Sequence, residues 1–340
     1  MFLSLFLLPP EMSNPRMRMS FAEHSRKVYR DWYQITLTLF KVLIPALIVV
    51  RLLEQAGFVD LIAQLLTPVM HLLDLPPIAG LIWATAMLTN IYAGLVIMIT
   101  YGSDWTLAQV TCMGMLMLGA HNLLVEVSIA RKAGCRILPQ TLLRIISAFS
   151  LAWLLTWYYA DDPVMQQPHE FIWQPEIRGA DWLTWLQTQL ASLFWTTIVI
   201  LGLVTILQVL KATGIERLLE LALKPLLKLI GISQHALSMT LIGMTLGLAF
   251  GGGLLIREAE RGELKPREVL AAISLLGLCH SLIEDTLLIA LTGASLTAVV
   301  GYRLLWALVM IAIITRLIPL IPDAILDRWF VTRVTKTGAS

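Results

Sequence analysis

The sequence predicts an all-α polytopic membrane protein made of two inverted repeats, each with three transmembrane helices and one re-entrant helical hairpin. Three observations carry that prediction. Hydrophobic residues make up 57% of the 340 and charged residues only 14%, against roughly 45–50% and about 25% in soluble domains. The apolar residues fall in runs that can cross a bilayer, which takes about 20 residues of helix. A polar motif inside one run, Leu118 to Glu126 (LGAHNLLVE), returns as Leu278 to Asp285 (LCHSLIED) inside another.

Taken in order, the chain opens with Met1–Leu8, an apolar stretch about half the length of a spanning helix and without a basic n-region. It reads as a peripheral extension, with Met12, Met17 and Met19 as alternative starts, and residues 1–33 form a basic cytoplasmic segment. A first repeat is expected over 34–157. Its first span runs from about Trp32 to Leu53; Phe58–Leu73, with Asp60, Gln64 and His71 among leucines, reads as an interfacial helix. Pro76-Pro77 opens an apolar run to Thr100 that Thr89 to Gly94 interrupts. A re-entrant hairpin with its tip at Asn90 explains the interruption, because irregular backbone at membrane depth must be covered by protein. Trp105–Lys132 and Ile137–Trp157 are the remaining spans of this half.

A Trp-, Pro- and acid-rich linker at 158–190 separates this half from a second repeat at 191–320 and a cytoplasmic tail at 321–340. Leu53, Gly57, Leu61, Pro68 and Leu72 meet Leu210, Gly214, Leu218, Pro225 and Leu229 at an offset of 157 residues. After a two-residue insertion the offset is 159, and Gly94, Val110, His121, Leu123 and Gly134 meet Gly253, Val269, His280, Leu282 and Gly293. Leucine matches are cheap in such a chain, but matched Gly, Pro and His in one order are not. The second hairpin tip is expected at Gly251-Gly252-Gly253, where glycine permits close backbone approach.

Charge follows the membrane rather than a binding patch. A net charge of +2 gives no sign of nucleic-acid binding. With both termini cytoplasmic in a bacterial inner membrane, Arg131, Lys132, Arg136, Arg144, Lys224, Arg257, Arg267 and Arg328 lie inside, and Arg51, Arg178 and Arg303 outside. Three crossings plus a hairpin per half then force the two halves to be inverted. Lys41 is placed to snorkel, and Cys112, Cys135 and Cys279 show no metal or disulfide spacing and read as small buried residues. His24, His71, His169 and His235 read as solvated, and Trp153, Trp157, Trp173, Trp182, Trp185 and Trp195 as an interfacial belt.

A hairpin followed by a polar-interrupted helix, present twice, resembles the nucleoside recognition, or Gate, domain. That domain is shared by concentrative nucleoside transporters, the membrane part of the bacterial ferrous-iron transporter, and the spore maturation proteins A and B. The resemblance covers about 34–157 and 197–316. It implies a two-repeat core with substrate at the hairpin tips and helix breaks. Carried onto this sequence, that means Thr89, Asn90, His121, Asn122 and Glu126 in the first half, and Gly251, Gly252, His280, Ser281, Glu284 and Asp285 in the second. A GxxxxGK[ST] stretch is absent from the sequence, as is the Gln-Thr-Glu cluster of nucleoside binding at the first tip.

Ionisable residues at membrane depth mark a site by default. The residues allow three readings. His121, His280, Glu126, Glu284 and Asp285, with Cys279 as a further candidate, supply ligands for iron, zinc or manganese. The same histidines and carboxylates also suit a small polar solute, a nucleoside or an organic ion, moved with a coupling cation or proton. Third, His280 with Glu284, Asn122 with Glu126, and Ser281 with Asp285 stand four residues apart and could satisfy each other along one helix face. The expected function is therefore an integral membrane transporter or transport-like subunit, with a divalent-metal permease and a non-transporting membrane partner as alternatives. Partners are the lipid bilayer and a small-molecule or ion substrate, with a second copy or another membrane protein left open, and no resident cofactor is called for. An intramembrane hydrolase lacks both a Ser with a His base and metalloprotease spacing.

Overall fold

The computed structural model describes residues 21–57, 66–101, 104–171 and 181–332. The N-terminal stretch to residue 20, the first half of the expected interfacial helix (58–65), residues 102–103, residues 172–180 of the linker and the last eight residues lie outside the described residues. Among those described, regular structure is helical apart from two isolated β-bridges. Among the described residues, four helical stretches are long and apolar enough to cross a membrane: Leu107–Lys132, Ile137–Tyr159, Trp182–Leu210 and Thr297–Leu320.

Helix α1, Phe21–Gln55, contains the expected first span. The Pro76-Pro77 stop is followed by α2 (Ile78–Leu88) and α3 (Ile91–Tyr101), divided at Thr89-Asn90. Here the interruption seen in the sequence is a true helix break, and the Asn90 Oδ1 caps α3 by accepting from Ala93 N at 3.0 Å. The expected single helix over 105–132 is instead two: α4 (Leu107–Gly119) and α5 (Leu123–Lys132). Thr106 and Gln109 form a capping box at the start of α4. Helix α6 (Ile137–Tyr159) closes the first half.

The second half runs α7 (Trp182–Ala212), α8 (Ile215–Leu229), α9 (Gln234–Leu246), α10 (Leu248–Arg261), α11 (Pro266–Leu278) and α12 (Glu284–Ala290). A π-helical turn, Thr297–Tyr302, leads into α13 (Arg303–Leu317), and α14 (Asp323–Trp329) ends the described chain. The break between α9 and α10 falls at Gly247, whose φ of 102° and ψ of 160° suit glycine. That corrects the expected tip: Gly251, Gly252 and Gly253 lie inside α10. Two of these glycines serve packing. A Cβ on Gly251 would stand 2.4 Å from Gly243 Cα, and one on Gly252 would stand 2.5 Å from Ile129 Cγ2.

The breaks in the two halves share their backbone conformation. Asn122 (φ 48°) and Ser281 (φ 46°) are left-handed, and Ala120 and Cys279 before them are extended. Each break frees an amide in an apolar interior, and each amide has a carbonyl to meet. Asn122 N donates to Ala86 O at 2.8 Å, and Leu282 N donates to Met244 O at 2.8 Å. Both acceptors lie in the last turn of the helix ending at the neighbouring break, where carbonyls lack intrahelical partners.

Packing crosses between the halves reciprocally. Helix α3 touches α12, while α10 touches α5; α6 touches α11, while α4 touches the π-turn. One core cluster gathers α2, α3, α4 and α6 with Leu288, Ile289 and Val299, and a second gathers α9–α11 with Ala130, Ala133 and Cys135. The linker is not loose over 160–171. Ala108 N donates to Met165 O at 2.7 Å and His169 N to Trp105 O at 2.8 Å. His169, expected to be solvated, donates through its Nε2 to Thr292 O at 2.7 Å and lies over Gly293.

Two outcomes follow. Gly251→Ala drives a methyl into the α9 backbone and should lower stability by about 1–3 kcal/mol, whereas Gly253→Ala, with open space around it, should match or exceed wild type. Thermal unfolding in detergent compares them. Burial pushes the Cys135 thiol up to about 12, so iodoacetamide at pH 8 should leave it unmodified until the protein is unfolded, as peptide mass mapping would show.

Candidate functional site

His121 and His280 each sit just past the end of a broken helix, and each is fixed by that helix. His121 Nδ1 lies 2.8 Å from Met117 O and His280 Nδ1 lies 2.7 Å from Leu276 O, four residues back in both cases. A carbonyl oxygen can only accept, so Nδ1 carries the hydrogen in both rings. In the neutral ring the Nε2 atom is then left with its lone pair. The ring centroids are 5.3 Å apart, and both Nε2 atoms face the same Glu126 oxygen.

Carboxylates converge on the same point. Glu126 Oε1 is 3.5 Å from His121 Nε2 and 3.4 Å from His280 Nε2, and Asp285 Oδ2 is 3.8 Å from both. All four residues are buried. The two Nε2 atoms and a Glu126 oxygen lie within 4.8 Å of one another. With both rings neutral, these are acceptors facing acceptors, which a cation or a proton must hold together.

Two arginines complete the centre. Arg144 Nη1 is 2.6 Å from Glu126 Oε2 and its Nε donates to Gly119 O at 3.1 Å. Arg303 Nη2 is 3.7 Å from Asp285 Oδ2 and donates to His280 O at 2.8 Å. Each guanidinium thus grips one carboxylate and a carbonyl freed by a break, Gly119 O in α4 and His280 O just after α11. Both were expected to be orientation markers on opposite sides of the membrane; in the structure both are 2% exposed. Their separation from 144 to 303 is again 159 residues, so the repeat comparison held the signal that would have found them.

The other expected residues have different surroundings. Asn122 and Ser281 supply the left-handed turns, and Ser281 Oγ lies against Gly247. Asn90 is occupied as a cap, and Gly251 and Gly252 are in helix contacts. Glu284 accepts from Tyr92 Oη at 3.3 Å. The spaced pairs expected to close along one helix face are joined instead by helix backbone bonds, Glu126 N to Asn122 O at 3.1 Å and Asp285 N to Ser281 O at 3.0 Å. The Glu126 and Asp285 carboxylates each face a histidine of their own half and one of the other.

Residues 36–134 match the family model described as Gate, nucleoside recognition. The chain carries a Gate nucleoside recognition domain. It is also a distant homologue of the uncharacterized membrane protein YvoD of Bacillus subtilis (strain 168), 28% identical over 304 residues that cover 87% of this chain and 92% of the relative. No solved structure matches the chain. This Gate-domain membrane protein thus brings His121 and Glu126, inside the matched segment, against His280 and Asp285, outside it.

Removing one partner of a buried ion pair leaves the other charge uncompensated, which costs about 3–5 kcal/mol. Arg144→Ala should therefore destabilise strongly. The double variant Arg144→Ala/Glu126→Ala should lose less than the two single variants combined, in a double-mutant cycle measured by unfolding in detergent.

Proposed function

We propose that this protein is a membrane permease whose central site binds a divalent transition-metal cation as its cargo. The observation that supports this reading is the convergence of His121 Nε2, His280 Nε2 and Glu126 Oε1 within 4.8 Å. For a tetrahedral ion with ligand bonds of about 2.0–2.1 Å, neighbouring ligand atoms stand about 3.3 Å apart. The two nitrogen-to-oxygen distances of 3.5 and 3.4 Å are close to that value. Two imidazoles and a carboxylate suit zinc, iron or manganese better than magnesium or calcium. Each imidazole also donates its other N–H to a backbone carbonyl, the support that metal-bound histidines usually have. Facing atoms 3.4–3.8 Å apart suit a single ion between them, which favours the cation reading over the nucleoside reading.

The architecture that supports transport is a pair of inverted halves with re-entrant hairpins α2–α3 and α9–α10. The reciprocal contacts, the matched left-handed breaks at 122 and 281, and the common offset of both histidines and both arginines favour it. The site then lies between the halves, where alternating access requires it. A second reading has its own support: with both carboxylates ionised, Arg144 and Arg303 balance Glu126 and Asp285, as a network that only joins two halves requires.

Thermal unfolding in detergent with Zn²⁺, Mn²⁺, anaerobic Fe²⁺, Mg²⁺ and a nucleoside set separates these readings. A transition metal at about 100 times its dissociation constant should stabilise by about 2.7 kcal/mol. His121→Ala and His280→Ala should fold and lose that gain, and acidification should weaken it because protons compete for the ligands. Stabilisation by a nucleoside alone would sink the cation reading, and silence across the set would favour the structural network.

A further inference from the structure

Helix α8 keeps its charges and its leucines on separate faces. At about 100° per residue, Arg217, Lys224 and Lys228 fall on one stripe within about 40° of the helix surface, and Ile215, Leu218, Leu226 and Leu229 on another centred roughly 140° away. Both stripes are exposed, while Leu223 and Leu227 on the remaining face are buried in the second core cluster. A helix held to the protein by one face, with leucines on a second and cations on a third, has the arrangement of one lying in the membrane interface. Between α8 and α9, which pack on each other, is a cavity of about 280 Å³ lined by Arg217, Glu220, Lys224, Ser238, Leu241 and Ile242 among others. Two cations and a hydroxyl thus stand with one carboxylate over an apolar floor. Among the described residues neither the Arg217 nor the Lys224 side chain has an ion-pair or hydrogen-bond partner. At the offset of 157 the first half has Asp60, Thr67 and His71 in place of Arg217, Lys224 and Lys228, so the arginine and lysines belong to one half alone.

We propose that the α8–α9 cavity is a headgroup site for an anionic phospholipid, with Arg217 and Lys224 holding the phosphodiester, Ser238 donating to it and the exposed α8 leucines meeting the acyl chains. An arginine presents a fork that matches two phosphate oxygens, and a lysine adds a mobile point charge. The apolar stripe on the same helix selects lipid over a soluble phosphate, because acyl chains remove those leucines from water and a free anion does not. With α8 on the cytoplasmic side, where its basic residues place it, the site faces the leaflet whose anionic lipids attract basic segments. On the inverted reading of the halves, the first-half counterpart of α8 lies at the opposite surface, which explains why it does without the cations. The site is independent of what the central cluster binds.

The test is native mass spectrometry of the full chain in detergent, titrated with phosphatidylglycerol, with phosphatidylcholine of the same acyl chains, and with inorganic phosphate. Phosphatidylglycerol should bind about tenfold more tightly than phosphatidylcholine, and inorganic phosphate should not displace it. Arg217→Gln/Lys224→Gln should weaken phosphatidylglycerol about tenfold and leave phosphatidylcholine unchanged, since each basic residue at an anionic surface is worth about a fivefold gain in affinity. Arg131→Gln/Lys132→Gln, which removes the same charge from exposed positions at the end of α5, should leave phosphatidylglycerol binding within about twofold of wild type. Ser238→Leu, which fills the cavity from α9 and keeps both cations, should weaken phosphatidylglycerol as well, so the outcome does not hang on one variant. Equal affinity for the two lipids, equal loss in the two charge-removing variants, or wild-type binding in Arg217→Gln/Lys224→Gln would each overturn the site. Displacement by inorganic phosphate would overturn the lipid assignment in favour of a soluble anion.

Discussion

A bilayer interior offers no water to a broken helix, so every backbone group opened there must find a partner within the protein. The rest of this structure depends on how that demand is met. Each half contains two breaks, and the amide freed at one takes the carbonyl freed at the other, Asn122 N with Ala86 O and Leu282 N with Met244 O. The hairpin-like pair of helices and the helix that follows are therefore locked to each other by the same bond that makes interruption tolerable. The carbonyls of Gly119 and His280 are met by Arg144 and Arg303. The arginines thus join backbone and carboxylates in a single network.

That network gives the centre its chemistry. A carboxylate with one oxygen held by arginine has a defined direction for the other, and Glu126 points its free oxygen at both imidazoles. The histidines are directed by the helices they terminate, since the i−4 carbonyl takes Nδ1 and turns Nε2 inward. Pre-set donors of this kind hold a site to ligand-bond precision. Helix breaks therefore do more than interrupt: they place the side chains that follow them.

Much of this was legible in the sequence, and for a definite reason. A duplicated motif leaves matched residues at a fixed offset, and His121, Glu126, His280 and Asp285 emerged from it directly. Arg144 and Arg303 were missed because basic residues near apolar runs are first read as markers of membrane side, while a long guanidinium stem reaches a site well away from its own Cα. The break at Gly247 was placed four residues late because three consecutive glycines look like a turn. Here two of them instead let α10 approach Gly243 and Ile129. The partner of Glu284 could not be read at all, since Tyr92 lies 192 residues away and nothing in the spacing links them.

The balance of two guanidinium groups against two carboxylates has a consequence beyond holding the halves together. On the cation reading, loading the centre adds uncompensated positive charge at membrane depth, so the step is felt by the electrical potential across the bilayer. A full crossing is worth about 2.3 kcal/mol per elementary charge for each 100 mV, and an ion that stops between the halves experiences a fraction of it. An energised membrane would then set the direction in which such a site fills, before any helix has moved.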